Sequence, residues 1–244
     1  MNIQDKPIRA LLLAGGFGTR LRPITNKIPK CLVNIKNEPL LGRWLRHLES
    51  IECEKVIINT HYLAEQVNAF LDKYQQDNLE MSVIRDHEIE LKGTAGTLMA
   101  NLDYFDSCTG LLIHADNVTS NVLESLLEAH RDRQEGCLVT MLTFEADNPS
   151  QCGIVEVDKY GVVQAFYEKV KNPPGNRANG AIYVFERDFI DFLRTSGGEY
   201  QDFSTEVLPL LVKRIQTWHT DMPYMDIGTP EALAKAQLLW THSK

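Results

Sequence analysis

The residues best placed for chemistry in this 244-residue chain lie in one run, Ala10-Leu-Leu-Leu-Ala-Gly-Gly-Phe-Gly-Thr-Arg-Leu-Arg-Pro23, with Pro29-Lys30 close behind. An apolar strand passes directly into Gly15, Gly16 and Gly18 and then into Thr19, Arg20 and Arg22. A phosphate-bearing ligand at that turn would meet backbone N–H groups together with fixed positive charge, which suits a nucleoside triphosphate. Leu13 and Ala14 would line the same turn. A Walker loop needs Lys-Ser/Thr after its last glycine, whereas Gly18 is followed by Thr19-Arg20. A dinucleotide fingerprint needs a third glycine near Leu21 and an acid at the end of the second strand, and that strand, Lys55–Asn59, runs into Asn59-Thr60-His61. Glycine pairs alone make ordinary tight turns. The two arginines and the lysine beyond them point to a ligand.

That run, with Pro29-Lys30, resembles the opening motif of the sugar-1-phosphate nucleotidyltransferases, or nucleotide-sugar pyrophosphorylases. Gly93-Thr-Ala-Gly96, Ala115-Asp116-Asn117, Glu168-Lys169 and Met225-Asp226-Ile-Gly-Thr229 resemble the family's later motifs, in its order. Cys31 stands where sugar-thymidylyltransferases carry glutamine, and His114 where many members carry glycine. The first departure bears on the base rather than on the reaction.

The resemblance implies transfer of a nucleotidyl group from a nucleoside triphosphate to a sugar 1-phosphate, with pyrophosphate leaving. Both reactants are polyanions, so alignment and charge neutralisation dominate and no covalent protein nucleophile is needed. The implied metal is Mg²⁺, which takes one or two carboxylates plus phosphate oxygens and water. Asp116 and Asp226 match the family's two metal-binding positions. Arg20 and Lys30 would clamp the triphosphate, and Arg22 would either join them or stand as a solvated surface charge. Lys169 resembles the lysine that holds the sugar phosphate, Glu168 would accept bonds from sugar hydroxyls, and Gly153 and Asn179 fall where the family approaches the sugar.

Glu88, Gly93 and Thr94 belong to the nucleotide side of the site. Glu88 lies close to the position where thymidylyl- and uridylyl-transferring relatives carry glutamine. A carboxylate only accepts hydrogen bonds, and guanine offers two adjacent N–H donors, so Glu88 points to GTP. The Gly93-Thr-Ala-Gly96 run resembles the mannose-1-phosphate guanylyltransferase branch of the family, and that resemblance implies a hexose or heptose 1-phosphate as the acceptor. A pyrimidine-nucleotide relative is the alternative. A regulatory relative without activity is another, opposed by intact Arg20, Lys30, Asp116, Lys169 and Asp226.

These residues need a scaffold. Ile8–Leu13, Lys55–Asn59, Met81–Arg85 and Gly110–His114 are short apolar runs, as strands buried on both faces should be. Amphipathic stretches at Pro39–Ser50, Leu63–Tyr74, Thr94–Leu102 and Asn121–Arg133 alternate with them. The pattern predicts an α/β fold: a Rossmann-like, mostly parallel mixed sheet with helices on both faces, the nucleotide-diphospho-sugar transferase fold in the family's terms. Ligands in such sheets bind beyond the carboxyl ends of strands, where Gly15–Arg22 and Asp116 fall.

The later chain predicts strands at Cys137–Phe144, Gly153–Val157, Val162–Glu168 and Gly180–Phe185, a hairpin turn at Asp158–Gly161, and a lid over the substrate. Helices are expected at Asp188–Arg194 and at Thr205–Arg214, the latter capped by Ser204 or Thr205, and from Pro230 to about Thr241. The expectation is one domain, its nucleotide-binding half about 1–135 and its sugar-phosphate half about 136–244, without the added domain of larger family members.

A formal charge of −8 with no basic block argues against a nucleic-acid partner, and none is expected. No apolar run is long enough to cross a bilayer or act as a signal peptide, so no membrane partner is expected and the expected location is the cytoplasm, as monomer or homo-oligomer. Cys31, Cys53, Cys108, Cys137 and Cys152 are scattered without metal-site spacing and read as reduced thiols. The histidines, His242 among them, show no metal spacing.

Overall fold

The computed structural model describes residues 6–77 and 80–240. In chain order its elements are β1 (Ile8–Leu13), β2 (Asn34–Ile35), β3 (Glu38–Pro39), α1 (Leu40–Ser50), β4 (Lys55–Thr60), α2 (Ala64–Asp77), β5 (Ser82–His87) and α3 (Gly93–Ala100). There follow β6 (Thr109–His114), β7 (Asn117–Thr119), α4 (Leu123–Arg131), β8 (Val139–Glu145), β9 (Gly153–Val157), β10 (Val163–Glu168) and β11 (Arg177–Phe185). The last are α5 (Arg187–Ser196), β12 (Ile215–His219), β13 (Tyr224–Asp226) and α6 (Pro230–Leu239). The fold is α/β, built on a mixed, mostly parallel sheet accompanied by helices.

The chain forms two compact units. One comprises Ala10–Leu91, Ile113–Asn121 and the chain from Met222 onward. Here β4 and β5 pair in parallel from Lys55↔Ser82 to Thr60↔His87. Val56, Ile57 and Ile58 of β4 are buried, as the continuous apolar run requires. In α1 the apolar residues Leu40, Leu41, Trp44, Leu45 and Leu48 recur at helical spacing and all are buried. The Trp44 indole N–H donates to the Asn117 carbonyl at 2.9 Å, so the ring buries without losing its polar partner. Leu21, Val33, Ile35, Val118, Ile227 and Ala236 pack together in this unit's core. Because Leu21 and Ile227 lie in that cluster, the loop after β1 and the turn before α6 are anchored from below.

The other unit comprises Lys92–Leu112, Val122–Asp221 and the chain through Arg9. Its strands β9 and β10 form an antiparallel hairpin through Asp158, whose carboxylate accepts the Tyr160 and Val162 N–H groups at 2.9 and 3.0 Å. This is the turn expected from the sequence. Strand β11 pairs antiparallel with β8 and β9. The rings of Phe185, Phe189, Phe203 and Tyr183 pack at centroid distances of 4.7 to 6.3 Å and fill the interior.

One expected element differs in kind. Thr205–Arg214 is not a single helix: Phe203–Val207 is a π-turn and Leu208–Leu211 a 3₁₀ turn. Pro209 lacks the N–H that a continuing α-helix needs, and its ring clashes with the preceding turn. The cap is Asp202 rather than Ser204 or Thr205, its carboxylate accepting the Thr205 N–H at 2.8 Å. Ile215–His219 then forms β12, parallel to β8, an element the sequence pattern did not indicate. The last helix begins as expected, with the Thr229 hydroxyl accepting the Ala232 N–H at 3.2 Å; Thr241 and His242 lie outside the described residues.

Candidate functional site

Arg20, Lys30, Asp116 and Asp226 converge in the first of these units. The Lys30 ammonium lies 2.6 Å from Asp116 Oδ2 and 3.1 Å from Asp226 Oδ1. Arg20 Nη2 lies 3.4 Å from Asp226 Oδ2. Asp116 is delivered by the end of β6, and Asp226 by β13, which pairs antiparallel with β7 so that Asp226 faces Asn117. The Ile227 N–H donates to the Asp116 carbonyl at 3.0 Å, locking the two acidic segments together. The Lys30 side chain is only 11% exposed whereas that of Arg20 is 64% exposed, so one cation is built in and the other faces solvent.

Burial pushes the Lys30 amine down, but Asp116 and Asp226 outweigh it and hold its pKa above the ordinary 10.5. Burial likewise pushes the Asp116 carboxyl up, and Lys30, helped by His114, draws it below the ordinary 3.8. Lys30 and Asp116 are therefore charged at neutral pH. Cys31 is buried beside them, its thiol pushed up to about 12 chiefly by burial, and is inert as a nucleophile.

The loop after β1 is held by a residue whose role the sequence did not reveal. Asn59 Oδ1 accepts both the Ala14 N–H, at 2.6 Å, and the Gly15 N–H, at 3.2 Å. Those two amides serve the fold. The expected supply of N–H groups to a phosphate is thereby limited to later loop residues, of which Gly16 and Thr19 are exposed. The Thr25 hydroxyl donates to the Gly18 carbonyl at 2.7 Å. Leu13 closes β1 half-buried, and Arg22 is exposed. Glu88 is 1% exposed, its N–H donating to the Thr60 carbonyl at 2.9 Å. An Asn at the strand end, where dinucleotide folds carry an acid, was the available signal for Asn59.

Gly153, Glu168, Lys169 and Asn179 belong to the other unit. Gly153 faces Glu168 across the β9–β10 pair, and a β-carbon on Gly153 would stand 2.6 Å from Glu168 Oε2. A side chain there would have to displace both the Glu168 carboxylate and the Phe166 ring, which would stand 2.7 Å away. Lys169 Nζ lies 3.0 Å from Glu168 Oε1, with the lysine side chain 63% exposed. The Lys169 N–H donates to the Cys152 carbonyl at 3.1 Å while its φ is +49°. Asn179 donates to the buried Tyr183 hydroxyl at 2.7 Å and accepts the Ala181 N–H at 2.9 Å, a lock invisible in the sequence. Gly93 and Thr94 open α3 in this same unit; the Thr94 hydroxyl accepts the Phe203 N–H at 2.8 Å, and the Ala95 and Gly96 N–H groups donate to the Gln201 carbonyl.

Residues 9–243, nearly the entire chain, match the Nucleotidyl transferase family. The chain belongs to that family. This Nucleotidyl transferase is 31% identical over 240 residues to a mannose-1-phosphate guanylyltransferase catalytic subunit beta of Drosophila pseudoobscura pseudoobscura, covering 96% of this chain and 63% of the relative. The chain thus spans under two thirds of that relative's length. Among solved structures, a candidate glucose-1-phosphate thymidylyltransferase from Bacillus anthracis, in complex with sucrose, superposes with a TM-score of 0.83 at 22% identity over 97% of this chain and 98% of its own. HddC from Yersinia pseudotuberculosis complexed with GMP-PN gives 0.73 at 22% identity, over 96% and 99%. At those identities the structures speak for the fold. All five cysteines of this Nucleotidyl transferase are free thiols, four of them buried. Among the described residues no helix is long and apolar enough to cross a membrane, and no group of three or more His, Cys, Asp or Glu side chains gathers in a metal-binding arrangement.

Proposed function

We propose that this Nucleotidyl transferase moves a nucleotidyl group from a nucleoside triphosphate, GTP by preference, to a hexose or heptose 1-phosphate, releasing pyrophosphate. The observation that carries the reading is the ion-paired array in which Lys30 bridges Asp116 and Asp226 while Arg20 flanks Asp226. In this reaction the sugar-phosphate oxygen attacks the α-phosphorus, so catalysis rests on holding two polyanions in line and offsetting charge. Arg20, exposed and 3.4 Å from Asp226, and the built-in Lys30 are together suited to clamp the triphosphate and to stabilise the charge that moves onto departing pyrophosphate.

Asp116 and Asp226 are the proposed Mg²⁺ ligands. The donor set fits: their oxygens converge on one cation, the Lys30 ammonium, and two carboxylates completed by phosphate oxygens and water are what Mg²⁺ takes. Bound there, the metal would offset phosphate charge during transfer. Leu13, Ala14, Gly15, Gly16, Gly18, Thr19, Glu88, Gly93 and Thr94 are proposed to take the nucleotide, and Gly153, Glu168, Lys169 and Asn179 the sugar phosphate. The guanylyltransferase name of the Drosophila relative agrees with the acceptor-only edge that Glu88 offers guanine. The free thiols suit a reducing compartment, and we place the protein in the cytoplasm.

Pyrophosphate release with GTP, UTP or dTTP, Mg²⁺ and a panel of sugar 1-phosphates that includes mannose 1-phosphate tests the reading. GTP with one hexose or heptose 1-phosphate should give turnover. Silence across the whole panel would leave a nucleotide-binding regulatory role in its place.

A further inference from the structure

We infer that Asn59 and His61, at the end of β4, are positioning residues that set nucleotide selection by holding the glycine loop and Glu88 to a single strand end. The inference rests on the proposed nucleotidyl transfer. Asn59 is 4% exposed, and its one side-chain oxygen takes the N–H groups of both Ala14 and Gly15, at 2.6 and 3.2 Å. A β-carbon on Gly15 would stand 3.0 Å from Asn59 Nδ2, so loop and amide meet without intervening space. Two neighbouring donors, that of Gly15 buried and that of Ala14 half-buried, satisfied by one acceptor hold the loop to one favourable course.

The same strand end holds Glu88. The β4–β5 ladder runs to Thr60↔His87, so Glu88 is the first residue beyond it. Its N–H donates to the Thr60 carbonyl at 2.9 Å. Its carbonyl lies 2.9 Å from His61 Nδ1, and because a carbonyl can only accept, that nitrogen carries the proton. The His61 ring also bears on the loop: Phe17 meets it edge to face at a centroid distance of 5.3 Å. Three consecutive residues thus fix the two segments proposed to meet the nucleotide, and a shift at either would misplace a base edge against its acceptor.

The test compares His61→Phe, His61→Gln, Asn59→Ala and Asn59→Asp with wild type. Readouts are the GTP-to-UTP ratio of kcat/KM, the KM of the sugar 1-phosphate, the Kd of each nucleotide by titration calorimetry, and the Tm. His61→Phe keeps a ring against Phe17 but loses the donor, and should lower the GTP preference about five- to tenfold with the sugar-phosphate KM unchanged. His61→Gln, still able to donate, should recover most of the ratio. Asn59→Ala should raise the KM of GTP about tenfold, whereas Asn59→Asp keeps the acceptor and should hold the Tm. A purely structural role predicts lower Tm with nucleotide KM values and their ratio untouched, and that result overturns the inference. If wild type binds GTP yet releases no pyrophosphate, the reaction is wrong and the ratio of Kd values still decides the positioning role. Wild type that binds neither nucleotide overturns both.

Discussion

A β-carbon on Gly228 would stand 2.9 Å from Arg20 Nη2 and 2.9 Å from Asp226 Oδ2, so this glycine keeps open the space in which the two charged groups meet. Gly228→Ala should therefore displace the guanidinium, the more movable of the two, while the buried turn around Ile227 stays in place. Turnover should fall on the order of tenfold or more with little change in Tm. Pyrophosphate release and a thermal melt on the same preparation check it, and an unchanged kcat would count against a role for the Arg20–Asp226 pair.

Asp116→Asn and Asp226→Asn should each keep the circular dichroism spectrum and lose on the order of a hundredfold or more in turnover, because a neutral amide binds Mg²⁺ weakly where charge must be offset. Each would also remove one partner from Lys30. A titration of Mg²⁺ separates the effects: raised metal demand supports ligation, and wild-type turnover at limiting Mg²⁺ removes that residue from the metal site.

Arg20→Ala and Lys169→Ala should part company kinetically. Arg20 is proposed to meet phosphates whose charge grows in the transition state, so its loss should appear chiefly in kcat; Lys169 is proposed to hold a ground-state phosphate, so its loss should raise the KM of the sugar 1-phosphate. Alanine and lysine both carry a β-carbon, so the cost of the +49° φ at position 169 is the same in wild type and variant. Reversed signatures in initial-rate kinetics would exchange the two roles.

Glu88→Gln should erode the preference for GTP over UTP and dTTP about ten- to a hundredfold, since an acceptor-only edge gives way to one donor and one acceptor in a buried position. Glu90, exposed two residues on, serves as the control. Competition between mixed nucleotides reads the change directly. Preference unaltered in Glu88→Gln would remove the carboxylate from base recognition.

Lys30 and Asp116 each make a pH-dependent contribution to stability. Asp116 titrates below 3.8 in the folded chain, so the stability carried by its ionised form is present above 3.8 and is lost as pH falls through the lower native value. Lys30 titrates above 10.5, so its contribution is intact below 10.5 and is lost as pH rises through the native value. The Tm gap between wild type and Asp116→Asn should stay level from neutrality down to 3.8 and close below it. A gap that persists at the acid extreme would mean that ionisation of Asp116 contributes nothing.

What the sequence determined by itself is local. The apolar run ending in Gly15 and Gly16 announced a strand with a loop beyond it, the spacing of Leu40, Trp44, Leu45 and Leu48 announced a buried helical face, and Thr229-Pro230 announced the start of α6. Placing Asp116 at a strand end was equally local, since one apolar run and its terminus suffice. Tertiary structure alone decided that Asp226 comes to Asp116, because that depends on β13 pairing with β7 and on the Ile227 N–H reaching the Asp116 carbonyl. It alone decided that Asn59 takes the loop amides, that Asn179 is tied to Tyr183 through a bulged strand, and that Ile215–His219 becomes a strand beside β8. Periodicity records which side of a segment is buried. It carries no mark of which distant backbone or side-chain group will satisfy a donor or acceptor, and in this protein those long-range hydrogen bonds and ion pairs set the candidate site.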